Sequence, residues 1–184
     1  MEMINRLHLN KRKKVFWILS FIMMITIFVF SARDAEDSTR DSHKVGKTIG
    51  YIREYDFENW TADAQERYAS RLDHPIRKTA HFLEYMTLGI LLFGAIYDSP
   101  YDHVDEKKND QDAENKGLMK LNVKNALIPW CITTLYAATD EFHQLFVSGR
   151  SGGPIDIIID GTGALVGVGL AFLATKLFSR YLNS

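Results

Sequence analysis

VFWILSFIMMITIFVF, Val15 to Phe30, contains no charged residue, and its only polar side chains are Ser20 and Thr26. Extended through Ala32 it reaches 18 residues, close to the roughly 20 that a helix needs to cross the hydrocarbon core. Lys11, Arg12, Lys13 and Lys14 stand directly before it. A cleaved signal peptide is the rival reading. Cleavage favours small residues in an Ala-x-Ala-like pattern, whereas Phe30-Ser31-Ala32 puts a bulky aromatic at the first of those positions. The stretch therefore reads as a retained anchor, with the basic cluster and the N-terminus in the cytoplasm.

The totals alone hide this. The 184 residues carry 22 Lys and Arg against 23 Asp and Glu, a formal net charge of −1, which offers no electrostatic case for nucleic acid. Length is that of one domain. The mean hydropathy of −0.14 resembles that of a soluble protein, because apolar runs alternate with charged loops. The single cysteine, Cys131, excludes an internal disulfide. Lying in an apolar run, it is expected to be a small buried hydrophobe. There is no Gly-Lys-Ser/Thr phosphate loop, no Gly-x-Ser-x-Gly elbow and no cysteine pairing for zinc, so soluble-enzyme chemistry is poorly supported.

Three further apolar segments follow. The expected fold is all-α: a polytopic membrane protein with a four-transmembrane-helix bundle, its spans at about 15–32, 76–97, 123–147 and 155–178. Residues 33–74 form an additional extracytoplasmic amphipathic helical segment, with Val45, Ile49, Tyr51, Ile52, Tyr55, Phe57 and Trp60 loosely at helical spacing. The second span is expected to begin after Pro75, and the acidic stretch 98–122 to be a cytoplasmic loop. Gly163, Gly167 and Ala171 recur every four residues in the last span, a small-residue face that lets helices approach closely. On this topology twelve Lys and Arg lie inside and ten outside. That is nearly balanced, so orientation rests on the cluster before the first span.

Topology then gathers residues that the chain keeps apart. Arg77, Lys78, His81 and Glu84 crowd the start of the second span; Asp140, Glu141, His143 and Gln144 end the third. Arg150 lies in the short loop SGRSGGP, and Asp156 and Asp160 begin the fourth. All belong to one membrane face, the extracytoplasmic one. Lys78, His81 and Glu84 are three apart and share a helical stripe beside Tyr85, while the pairs Asp140/Gln144 and Asp156/Asp160 are each four apart. A carboxylate at the bilayer centre costs about 2.5–3.5 kcal/mol on insertion scales, so an ion-pair network with Arg77, Lys78 and Arg150 is expected. Asp156 is placed to cap the last span, and Arg150 to face the carboxylates of both flanking helices.

His81, Glu84, His143 and the aspartates are types that ligate metals, but His-Glu-x-x-His is absent, and neither metal nor other cofactor is expected. DIIIDG (Asp156 to Gly161) superficially matches the acidic motif of membrane alcohol phosphotransferases, but the following TGALVG lacks the arginine and later aspartates that the motif needs.

KTAHFLEYMTLG (Lys78 to Gly89) followed by DEFHQLFVSGRSGGPIDIIIDGTGALVG (Asp140 to Gly167) resembles the VanZ-like family of small bacterial membrane proteins. The pattern falls on Lys78, His81, Glu84, Tyr85, Asp140, Glu141, Gln144, Phe146, Arg150, Asp156 and Gly163, with Ser31, Ser38 and Ser42 as a looser feature after the first span. Asp160 stands where many relatives have Asn. The resemblance implies a setting in the envelope of Gram-positive bacteria and an association with reduced susceptibility to glycopeptides, teicoplanin in particular. It implies no particular reaction.

The expected function is therefore binding or modulation of an anionic lipid, a wall precursor or a lipoglycopeptide. The polar cluster is Lys78, His81, Glu84, Tyr85, Asp140, Glu141, Gln144, Arg150, Asp156 and Asp160. The alternative is a membrane enzyme acting on a lipid-linked envelope substrate, with His81 as general acid or base and Glu84 or Asp140 orienting it. The bilayer is the expected partner in either case, and nucleic acid is not.

Overall fold

A computed structural model describes residues 2–97 and 123–182; the acidic stretch expected as a cytoplasmic loop lies outside the described residues. The described residues form five α-helices, α1 (Glu2–Ser31), α2 (Ala35–Arg53), α3 (Ala62–Ile96), α4 (Val123–Gln144) and α5 (Pro154–Leu182), with a 3₁₀ turn at Phe57–Asn59. Asp34 starts α2 by accepting a hydrogen bond from the backbone N–H of Asp37. Thr61 does the same for α3 at the N–H of Ala64, so each helix opens on an oxygen-bearing side chain that satisfies an otherwise free amide.

Among the described residues three helices are long and apolar enough to cross a membrane: Lys11–Ser31, Ala62–Ile96 and Pro154–Phe178. α4 is not among them. Lys124 and Asn125 at one end and Asp140, Glu141, His143 and Gln144 at the other confine its apolar stretch to its middle. Three of the four expected spans thus meet the length and apolarity of a membrane crossing, and α4 does not meet them by composition.

The second helix also starts earlier than Pro75. α3 runs unbroken through that proline for 35 residues, roughly 52 Å at 1.5 Å per residue, well beyond a hydrocarbon core of about 30 Å. Pro75 forfeits one backbone bond within the helix. The helix continues because its first part is held from the side by α2. There Gly46 lies against the Ala69 backbone, where an added Cβ would sit 3.0 Å from the Ala69 Cα, and Ser42 donates a hydrogen bond to Asp73. The amphipathic segment is therefore a helical hairpin of α2 and the front of α3, closed by Phe57 packed among Tyr51, Trp60 and Tyr68. Its buried face in α2 is made of small residues, Ser42, Gly46 and Gly50, while Val45, Tyr51, Ile52 and Tyr55 point outward.

α3 is the hub, touching α1, α2, α4 and α5. α1 runs antiparallel to it: Arg12 donates to the Tyr97 carbonyl at 2.9 Å, and Ile27 packs with Tyr85, Leu88, Leu92 and Ala137. α5 runs parallel to α3, with its small-residue face against the α3 backbone. An added Cβ on Gly163 or Gly167 would run into the carbonyl oxygens of Phe82 or Met86, and on Gly89 would meet the Ala164 carbonyl oxygen at 2.7 Å. The four-residue spacing of small residues is thus a packing seam. α4 returns antiparallel to α5, and Trp130 donates to the Gly161 carbonyl at 3.0 Å.

Surface and interior are apportioned as lipid dictates. Trp17, Ile18, Phe21, Ile22, Phe28 and Val29 of α1 and Ile158, Leu165, Leu170 and Leu173 of α5 are exposed, while Asp140, Glu141, Gln144 and Asp160 are buried. In water this arrangement would be costly on both counts. In a bilayer, apolar side chains face outward without cost and the polar ones withdraw among the helices. Cys131 departs from expectation for the same reason: it is exposed, on a helix whose neighbours Leu127, Ile128, Ile132 and Leu135 are exposed too. Apolar character there does not imply burial in protein.

Candidate functional site

At one end of the bundle the polar residues of α3, α4 and α5 converge. Helical periodicity puts Lys78, His81 and Glu84 on successive turns of α3. The parallel course of α5 sets Asp156 and Asp160 opposite Lys78 and His81. Lys78 pairs with Asp156 across the 78 residues that separate them in the chain, and the Asp160 Oδ2 lies 3.7 Å from His81 Nδ1. The end of α4 supplies the third side. Gln144 donates to Asp140 Oδ2 at 3.2 Å and to Glu141 Oε1 at 3.3 Å, and Glu141 Oε2 accepts from the Gly153 backbone N–H at 3.1 Å. Gly152 lies so close to the Glu141 carbonyl that a side chain there would clash. The glycines of the loop thereby let it fold tightly back onto α4.

These residues are withdrawn from solvent to an unusual degree. Asp160 is 1% exposed, Asp140 and Glu141 3% each, and Tyr85 fully buried, while Lys78, His81, Glu84 and Asp156 are half-buried. Both Asp160 oxygens, Asp140 Oδ1 and the Tyr85 hydroxyl make no hydrogen bond among the described residues. A buried polar atom left without a partner costs about 1–3 kcal/mol, and more when charged, so this end of the bundle is unfavourable in isolation. His81, Glu141 and Asp160 each present a ligand atom within 4.8 Å of the other two.

Two expectations are corrected. Arg150 does not turn toward the carboxylates of both helices. Its Nε donates to the Arg33 carbonyl at 2.9 Å and its Nη2 to the Phe30 carbonyl at 3.1 Å, so it closes the end of α1, where unbonded carbonyls and the helix dipole favour a cation. Ala35 N–H donates to the Ser148 carbonyl at 3.2 Å beside it. Burial pushes the Arg150 guanidinium below its ordinary pKa, Arg77 adds to that, and Asp140 and Glu141 oppose it. Asp156 is not the cap of α5 either. The helix begins at Pro154, where the missing N–H is harmless; Asp156 lies in the first turn, its backbone N–H bonded to the Gly153 carbonyl, and its carboxylate goes to Lys78.

Glu84 and Tyr85 lie on the α3 stripe, and Asp140 and Gln144 on one face of α4. Ser31 and Ser42 are both buried. Ser42 belongs to the contact between α2 and α3, away from the cluster. Arg77 faces Asp73, one turn earlier on the same helix, at 3.5 Å. Sequence reasoning missed Tyr136, whose hydroxyl donates to the Met24 carbonyl at 2.7 Å and whose ring lies 6.3 Å from that of Tyr85. The signal was its position four residues before Asp140, on the same face of α4. The stacking of His143 on Phe28 at 4.8 Å draws that histidine toward α1 and had no sequence signal.

Apolar helices outside and an ionisable cluster at one end define a multi-pass, all-α membrane protein. The chain belongs to the VanZ/LLP1 family, whose family model matches residues 16–175. Comparison with curated proteins and with solved structures gave no match.

Proposed function

We propose that the protein binds the polar headgroup of an amphiphilic cell-envelope ligand at the end of the bundle where α3, α4 and α5 meet. The ligand class is an anionic lipid, a lipid-linked wall precursor or a lipoglycopeptide of the teicoplanin type. In this reading α4 crosses as a fourth span, since α1 and α4 run one way and α3 and α5 the other, as alternating crossings require. Lys11, Arg12, Lys13 and Lys14 keep both termini cytoplasmic, and the cluster opens to the outside.

The observation that carries the proposal is the convergence of Lys78, His81 and Arg150 with the buried Asp140 and Asp160, which keep oxygens without a hydrogen bond among the described residues, at one end of a bundle otherwise solvated by lipid. Ionisable groups in such a place mark a ligand or ion path. Lys78 and Asp156 hold α3 and α5 in register. Arg150 is the cation offered to an anionic headgroup: its bonds to the Arg33 and Phe30 carbonyls go to neutral groups, and Arg suits planar phosphate or carboxylate recognition. The apolar outer faces of the helices take the acyl chain.

A second reading is favoured by one contact. The His81 ring facing Asp160, with Glu84 one turn further on, is the arrangement of a general acid or base with carboxylates around it, as an enzyme acting on a lipid-linked substrate would need, with His81, Glu84 and Asp140 as its catalytic residues. His81→Gln and Arg150→Ala variants of the full chain separate the two. Native mass spectrometry of the purified protein reads retained amphiphiles, the mass profile of envelope lipids and wall precursors reads turnover, and teicoplanin susceptibility reads the cellular effect. Binding predicts lost retention in both variants with an unchanged precursor profile. Accumulation of an unprocessed precursor in His81→Gln alone supports the enzyme instead.

A further inference from the structure

His81, Glu141 and Asp160 come from three different helices or helix ends, α3, α4 and α5, and are separated by 60 and 19 positions in sequence. Their ligand atoms nevertheless lie within 4.8 Å of one another. Two of the three side chains are carboxylates, almost wholly withdrawn from solvent. A carboxylate in such surroundings needs a counter-charge; Lys78 is paired with Asp156, and Arg150 reaches the Arg33 and Phe30 carbonyls and, among the described residues, forms no ion pair with Glu141 or Asp160. Asp160 is the decisive residue. It is 1% exposed, both its oxygens are without a hydrogen bond among the described residues, and its approach to His81 Nδ1 at 3.7 Å is too long for one.

We propose that His81, Glu141 and Asp160 bind a divalent first-row transition cation of the manganese or zinc class. One imidazole nitrogen and two carboxylate oxygens suit such ions better than soft Cu(I), which prefers sulfur, or Ca²⁺, which takes oxygen alone. Two carboxylates and a neutral imidazole balance the charge of a divalent ion. Metal–ligand distances of about 2.0–2.2 Å require each side chain to close in by under about 1 Å from its present position.

The surroundings match what orients such ligands. Glu141 is fixed from outside the triad, by the Gly153 N–H on one oxygen and Gln144 on the other, the kind of outer contact that sets a ligating carboxylate in place. Gln144 also holds Asp140, whose Oδ1 is unbonded and stands ready to ligate or to accept a hydrogen bond from a water on the ion. The metal site does not depend on which envelope ligand is bound. A cation here would, however, turn an acidic cluster into an acceptor for a phosphate or carboxylate headgroup.

The test uses the full chain purified in detergent, stripped with chelator, reloaded with Zn²⁺ or Mn²⁺, desalted and analysed for metal by mass spectrometry. About one ion per chain is expected for the wild type. Asp160→Asn, Glu141→Gln and His81→Gln should each lower occupancy to a tenth or less, since losing a ligand exceeds the roughly 10–100-fold effect of losing an outer partner. Glu66→Gln, on the distant hairpin, should keep the ion. Equal metal content in wild type and Asp160→Asn, or no bound ion in the wild type, overturns the site. Should a variant aggregate, the Mn²⁺-loaded wild type decides by pulsed electron paramagnetic resonance. Coupling to one imidazole nitrogen is expected, and its absence rejects His81 as a ligand. None of these readouts involves an envelope ligand, so their failure leaves the headgroup reading to its own test.

Discussion

The two ends of the same three helices are built on opposite terms. At the end where α3 finishes, Phe93, Tyr97 and Val168 form an apolar cluster with Ala126, Trp130, Ala171 and Phe172 around it. Its rings pack onto one another, Phe93 stacked on Tyr97 with centroids 5.1 Å apart and edge-on to Phe172 at 6.4 Å. At the other end the same helices bring together Lys78, His81, Glu84, Asp140, Glu141, Asp156 and Asp160. The apolar end is satisfied within itself by dispersion and shape. The polar end leaves Asp140, Asp160 and Tyr85 with unbonded atoms. Packing alone accounts for the apolar end and does not account for the polar one, where Asp140 and Asp160 keep buried oxygens without a hydrogen bond among the described residues.

Between the ends runs the small-residue seam, and breaking it should have the largest effect. Gly167→Leu drives a side chain into the Met86 carbonyl, which belongs to a backbone that cannot yield. Overpacking ordinarily costs about 1–3 kcal/mol; here α3 and α5 must separate, and the expected outcome is loss of monodisperse protein on size-exclusion chromatography. Leu92→Ala comes next. Leu92 is 2% exposed, and a truncated core leucine costs about 2–5 kcal/mol, to be read as a lowered thermal midpoint in detergent with ligand retention unchanged.

At the polar end Lys78→Met should cost roughly 1–3 kcal/mol, because it leaves the half-buried Asp156 carboxylate unpaired. Adding Asp156→Leu should restore most of that loss, since removing both partners of a buried pair is often neutral. A double variant no more stable than the single one would show that the pair does not hold the register of α3 and α5. The smallest effect concerns the junction of α1 and α2. Asp41 is bonded to Lys44 at 3.0 Å and Arg33 at 2.6 Å, and these contacts hold its carboxyl below its ordinary value of 3.8. A depressed carboxyl contributes stability that is fully present above the unfolded value and lost as pH falls through the folded one. A shallow drop in thermal midpoint below pH 4 is therefore expected, and Asp41→Asn should flatten it.

Much of this was legible in the sequence because membranes impose simple rules. The uncharged run from Val15 to Phe30, the glycine spacing in α5 and the three-residue stripe of Lys78, His81 and Glu84 each follow from one periodicity. Counting crossings then brought Asp140, Asp156 and Lys78 to one end. What was not legible depends on rotation and contact. Nothing in local pattern tells that Arg150 turns to the end of α1 instead of the carboxylates, because backbone carbonyls carry no sequence signature. Pro75 reads locally as a helix start; only the hairpin with α2, through Gly46 and Ser42, explains why the helix passes through it. Cys131 was misplaced because apolarity means burial in water and exposure in lipid.

Under the proposed reading, function resides at the polar end of the bundle and structure at the apolar end. Native mass spectrometry of the purified chain, comparing His81→Gln and Asp160→Asn with Phe93→Leu and Val168→Ala, tests it most directly. The polar-end variants should retain at least about tenfold less envelope amphiphile, equivalent to a loss of roughly 1.4 kcal/mol in binding, with little change in thermal midpoint. The apolar-end variants should lower the midpoint and keep the amphiphile. Retention that is the same in both pairs, or lost only in the apolar-end pair, would contradict the claim.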